Sequence, residues 1–96
     1  MIKGVTSNEE KIIKDILSKY PYNFFYYGSR VKGDFTKSSD LDILLMSDKN
    51  IPEKILNELK LDFNKSLVPY IVNISVYNNL DKSFYELIKP SLVSVF

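Results

Sequence analysis

Ile12, Ile13, Ile16, Leu17 and Tyr20 recur at the steps of one helical face, which predicts a first amphipathic helix. Ser7 with Glu10 three positions later reads as the capping box that starts it, and Pro21 ends it. The aromatic run Asn23–Tyr27 closes on Gly28, as a strand feeding a turn would. Residues 29–39 turn polar around Gly33 and read as a loop or one short helical turn. Asp40–Met46 is the next strand; its apolar second half, Ile43 to Met46, suits a central strand covered on both faces. Pro52 followed by Ile55, Leu56, Leu59 and Phe63 predicts a second helix. Tyr70–Tyr77 alternates, with Tyr70, Val72, Ile74 and Val76 on one face and Ile71, Asn73, Ser75 and Tyr77 on the other. A last helix carries Leu80, Phe84, Leu87 and Ile88, and Pro90 parts it from a terminal strand over Leu92–Phe96. Helices alternating with strands predict an α/β (α+β) fold, a small mixed β-sheet flanked by helices. With no repeat and no flexible linker, residues 1–96 read as a single domain.

Composition narrows the class. The 45% hydrophobic content, with six Phe and seven Tyr, supplies one core and argues against disorder. Thirteen basic residues against twelve acidic ones leave a net charge of +1, so a nucleic-acid substrate gains no support. The absence of Cys and His removes disulfides, thiolate chemistry and histidine bases, so a metal must be held by oxygen, as Mg²⁺ or Mn²⁺ is. Met1–Lys11 lacks the apolar stretch of a signal peptide and no apolar run reaches membrane-spanning length, which points to the cytoplasm and away from the membrane.

One segment breaks the logic of a buried strand. Asp40 and Asp42 share a face just before Ile43–Met46, where like charges repel and burial penalises both. A divalent cation is the economical compensation, because carboxylate oxygens suit Mg²⁺ and its remaining ligands come from water and substrate phosphates. A bare Asp-Leu-Asp is common, however, and Asp40 capping a turn with Ser38 or Ser39 while Asp42 faces solvent is the bland alternative. Upstream, Gly28-Ser29 follows a strand, where glycine lets main-chain N–H groups approach phosphate and serine adds a hydroxyl donor. Arg30 is the only arginine and sits beside that turn, where a guanidinium could fork onto two phosphate oxygens. Lys32 and Lys37 are better read as solvated surface charge, and Gly33 as a loop breaker.

Taken together, Gly28-Ser29-Arg30-x-x-Gly33 and, ten residues after Ser29, Ser39-Asp40-Leu41-Asp42-Ile43-Leu44-Leu45 resemble the signature of minimal nucleotidyltransferases of the polymerase-β superfamily. The order of elements extends that resemblance over nearly the whole chain. It implies the polymerase-β-like fold, a nucleotide-binding turn at Gly28, Ser29, Arg30 and Ser39, and catalytic metal-holding carboxylates at Asp40 and Asp42. The substrate implied is ATP or another nucleoside triphosphate. In such proteins a third carboxylate comes from the next core strand; laid on Val72-Asn73-Ile74, that position holds the amide Asn73. An amide brings no charge and accepts no proton usefully, so metal binding beside the incoming hydroxyl should weaken.

Two readings follow. As an enzyme, the chain would transfer a nucleoside monophosphate, AMP from ATP by preference, to a hydroxyl on a small acceptor or a partner, with pyrophosphate leaving. As a catalytically relaxed binding module, it would act as an antitoxin by complex formation. The resemblance implies a helical HEPN-domain toxin as partner for either, and self-association stays open. Phe35 and Tyr85 are expected to lie on exposed segments that would meet such a partner.

Overall fold

The computed structural model describes residues 2–96. Helix α1 (Ser7–Leu17) leads into strand β1 (Asn23–Tyr27), the single turn α2 (Ser29–Lys32), strand β2 (Leu41–Met46), helix α3 (Glu53–Asn64) and strand β3 (Val72–Val76). A 3₁₀ turn (Tyr77–Asn79), helix α4 (Lys82–Ile88), a second 3₁₀ turn (Lys89–Ser91) and the two-residue strand β4 (Val93–Ser94) follow. The strands form one mixed sheet in the order β3-β2-β1-β4. Strand β1 is antiparallel to both β2 and β4, whereas β2 and β3 run parallel. The crossover that a parallel pair requires is supplied by α3.

Alternation along the strands sorts side chains between two cores. Phe24, Tyr26, Leu41, Ile43 and Leu45 pack with Ile13 and Leu17 of α1 and Leu59 and Phe63 of α3. Ile13 and Leu17 are fully shielded, and each such burial contributes about 1.5–3 kcal/mol. On the opposite face Tyr27, Leu44 and Ile88 form a smaller core with Phe25, Met46, Tyr85 and Leu92 against it. Leu44 is thus buried from that side as Ile43 is from the other, which explains the unbroken apolar half of β2.

The first helix is capped one position earlier than the spacing suggested. Thr6 Oγ1 accepts from the Glu9 N–H at 3.2 Å, and Glu9 Oε1 accepts from the Thr6 N–H at 3.1 Å. Thr6-Ser7 and Glu9-Glu10 offer two registers for the same motif; Thr6 takes the extended cap conformation, leaving Glu10 to pair with Lys14 at 3.0 Å. The helix stops at Leu17, before Pro21, and beyond it Lys19 and Tyr20 both bond Asp62 of α3. The terminal strand shrinks from the expected five residues to Val93–Ser94. The segments around Phe35 and Tyr85 are exposed, but the two rings themselves are half-buried, one against Arg30 and the other against Tyr77. Strand β3 is one edge of the sheet, and Ile71 just before it is 65% exposed.

Candidate functional site

Strand β1 ends against Gly28, whose φ of 86° and ψ of −158° suit glycine. The chain then makes the α2 turn, with the Val31 and Lys32 N–H groups donating to Gly28 O at 3.1 Å each. Gly33, at φ 96°, closes it by donating to Ser29 O at 2.8 Å. Ser29 is therefore presented, half-buried, on the first residue of a turn held at both ends.

Asp42 lies opposite Tyr27 on β1 and opposite Asn73 on β3, in the middle of the sheet. A Cβ added to Gly28 would collide with Asp42 Oδ2, so the glycine is what allows the turn to close against that carboxylate. Asn73 Nδ2 donates to Asp40 Oδ2 at 3.0 Å and to Asp42 Oδ1 at 3.3 Å. Both carboxylates thus converge on one neutral amide, on the face that α4 leaves open at Asp40 and Asn73. Burial pushes the Asp42 carboxyl above its ordinary range; the Asn73 bond opposes this shift and the nearby Asp40 charge adds to it.

The floor of the site comes from two residues the motif did not single out. Tyr27 Oη and Ser75 Oγ lie 3.0 Å apart, and the Phe84 ring of α4 meets Tyr27 edge-on at 6.2 Å between centroids. Burial raises the Tyr27 hydroxyl, its bond to Ser75 opposes that, and Asp42 adds to it. The alternation that puts Asn73 on this face also puts Ser75 there, and Tyr27 precedes Gly28 directly.

Arg30 requires a correction. Its expected role on phosphate oxygens does not fit the geometry, because the side chain is only 4% exposed and its guanidinium is turned to main-chain carbonyls. Nε donates to Ser39 O at 2.9 Å, Nη1 to Gly4 O at 2.6 Å, and Nη2 to Lys37 O at 3.1 Å and Thr36 O at 3.3 Å. Adjacency to the turn was visible in the sequence; the curl of residues 36–39 back over the side chain was not. Ser39 contributes to that curl, its Oγ accepting from the Thr36 N–H at 2.8 Å. The side chains of Lys32 and Lys37 are exposed.

No group of three or more His, Cys, Asp or Glu side chains among the described residues is placed to hold a metal ion. The donor set is two carboxylates, with the Asn73 amide turned nitrogen-first toward them and its oxygen therefore not offered to a cation. It fits a Mg²⁺-like cation that brings further oxygen ligands on a phosphate, and it fits poorly the two cations that three carboxylates would balance. The nucleotidyltransferase domain family matches residues 9–95, which run from within α1 through β4 and include every residue of this site. The chain belongs to that family, as a minimal nucleotidyltransferase of the polymerase-β superfamily. It is also similar to a Haemophilus influenzae protein named "Probable protein adenylyltransferase MntA", with 31% identity over 93 residues, 95% of this chain and 82% of that protein. The four-stranded mixed sheet flanked by helices is consistent with the polymerase-β-like fold. Among the described residues of this nucleotidyltransferase no helix is long and apolar enough to cross a membrane.

Proposed function

We propose that the chain binds a nucleoside triphosphate with Mg²⁺ at Gly28, Ser29, Asp40 and Asp42, and transfers AMP from ATP to a hydroxyl on a partner protein in the cytoplasm. The observation that carries this reading is the convergence of Asp40 and Asp42 on one point beside Gly28. The adenylyl group is favoured by the printed name of the Haemophilus influenzae relative. A bound divalent cation would neutralise phosphate charge and make the attacking hydroxyl more acidic. Asp40 and Asp42 would hold it, and the Gly28-Ser29 turn would bond the phosphates. The acceptor oxygen bonds the α-phosphorus, the bond to the bridging oxygen breaks, and pyrophosphate carries the electron pair away. Asn73 accepts no proton usefully, so the hydroxyl proton passes to solvent and turnover is slow.

A second reading rests on that same amide: a nucleotide-binding antitoxin that silences a HEPN-type toxin by complex formation. Incubating the purified chain with Mg²⁺, labelled ATP and the product of a neighbouring HEPN-type gene separates the two. Label on a partner tyrosine supports transfer; a stable unlabelled complex supports silencing by binding. Failure to bind Mg-ATP in calorimetry would overturn both the site and the transfer.

A further inference from the structure

We propose that Arg30 is a positioning residue, the clamp that sets the Asp40 end of the site against the Ser29 end; this rests on Asp40 and Ser29 belonging to the nucleotide site. Residues 34–40 include no helix or strand, yet they deliver Asp40 to the head of β2. One side chain collects three carbonyls of that stretch, those of Thr36, Lys37 and Ser39. The Ser39 carbonyl belongs to the peptide whose nitrogen is Asp40's, so the 2.9 Å bond from Nε fixes the plane from which Asp40 departs. Arg30 itself is the neighbour of Ser29 on the α2 turn, so one rigid side chain links the two halves of the site.

Two further segments lock the clamp. Gly4 accepts from Nη1 and donates its own N–H to Arg30 O at 3.0 Å, and a Cβ at Gly4 would run into Arg30 Cβ. The guanidinium carbon sits 3.8 Å from the centroid of the Tyr70 ring, two residues before β3, and 5.1 Å from that of Phe35. The four hydrogen-bond acceptors are all neutral carbonyls, splayed around a planar fork of five N–H donors. An ammonium group has no such fork, so lysine keeps the charge and loses the geometry.

The test uses the full chain and the Arg30→Lys variant, at a temperature where circular dichroism reports both folded. Hydrogen exchange by NMR should show amides 36–41 exchanging roughly tenfold faster in the variant while α1 and β1 keep their protection. Mg-ATP should bind roughly tenfold more weakly, one factor of ten corresponding to about 1.4 kcal/mol. Exchange that rises evenly over the sheet, or does not rise, overturns the clamp and leaves Arg30 a general stabiliser. Faster loop exchange with unchanged Mg-ATP affinity also overturns it, since the loop would then not set the site. If the wild-type chain fails to bind Mg-ATP, the nucleotide reading fails, and the exchange pattern alone decides whether Arg30 holds the loop. Should Arg30→Lys not fold, Tyr70→Leu removes the stacked ring, together with its hydroxyl bond to Glu9 at 2.9 Å, and leaves the carbonyl bonds. It should raise exchange over 36–41 by a smaller factor, and unchanged exchange there overturns the clamp.

Discussion

The side-chain nitrogen of Asn73 donates to Asp40 Oδ2 across 3.0 Å, so a neutral amide faces the open end of a carboxylate pair. The same nitrogen reaches Asp42 at 3.3 Å. Replacing Asn73 with Asp exchanges a donor for a third negative charge at that point, which repels its neighbours until a cation intervenes. Asn73→Asp should therefore lower stability without metal, raise Mn²⁺ affinity and speed AMP transfer relative to a slow wild type. Thermal melts with and without Mn²⁺, with mass spectrometry of the labelled partner, check this. Fast transfer by wild type with no gain in Asn73→Asp would mean that another group supplies the charge.

Asp40 and Asp42 can be removed without cavities, because Asn keeps their size. The Asp40→Asn, Asp42→Asn double variant should lose metal-dependent ATP binding and stay folded. Ser29→Ala should weaken triphosphate binding by about 1.5–3 kcal/mol, the scale of a hydrogen bond to a charged group. Calorimetry reads both, and unchanged affinity in the double variant sinks the metal site.

Gly28 is constrained twice, by its positive φ and by its approach to Asp42. Gly28→Ala should cost at least about 1 kcal/mol of folding stability from backbone strain alone and push the Asp42 carboxylate aside. The signature is a lowered melting temperature together with lost Mg-ATP binding. A variant that melts normally and binds normally would show the turn to be more tolerant than its geometry.

Tyr20 Oη donates to Asp62 at 2.8 Å and Lys19 pairs with the same carboxylate at 3.0 Å, tying the end of α1 to α3. These partners hold the Asp62 carboxyl below its ordinary range, chiefly through the Tyr20 bond. Its contribution is present above the unfolded-state pKa and fades as pH falls through the lower folded-state one. Tyr20 moves the other way, pushed up to about 12 by burial and the Asp62 bond. Its contribution is intact below the unfolded value near 10 and is lost as pH rises through 12. Urea midpoints should thus sag at both extremes. Tyr20→Phe should shrink the alkaline sag, which Tyr26, Tyr27 and Tyr70 also feed, and Asp62→Asn should flatten the acid one, each by a small amount because Asp62 is largely solvated.

The carboxylate pair and Asn73 were legible in the sequence because a strand has a period of two, so positions 40 and 42, or 73 and 75, must share a face whatever the tertiary context. The register that sets Asn73 opposite Asp42 followed from neither strand alone; it needs the parallel pairing through α3. Arg30 was misread for a related reason. Its charge and its place beside the turn are local facts, while its burial depends on Gly4, Tyr70 and the 36–39 carbonyls, which come from distant or irregular backbone. Thr6 and Ser7 illustrate a third limit, since two cap registers of equal chemistry cannot be separated by pattern.

Strand β3 ends the sheet with no charged residue from Ser66 through Leu80, and Leu67 and Ile71 in the segment leading into it are 88% and 65% exposed. Natural sheet edges are usually guarded by a lysine or another charge that discourages strand addition. An unguarded edge makes the isolated chain sticky at high concentration. Leu67→Lys is the conservative remedy for handling it, because position 71 continues the Asn73 face beside Asp40. The same edge makes solubility fall as concentration rises, so dilution should reverse the association that Leu67→Lys weakens.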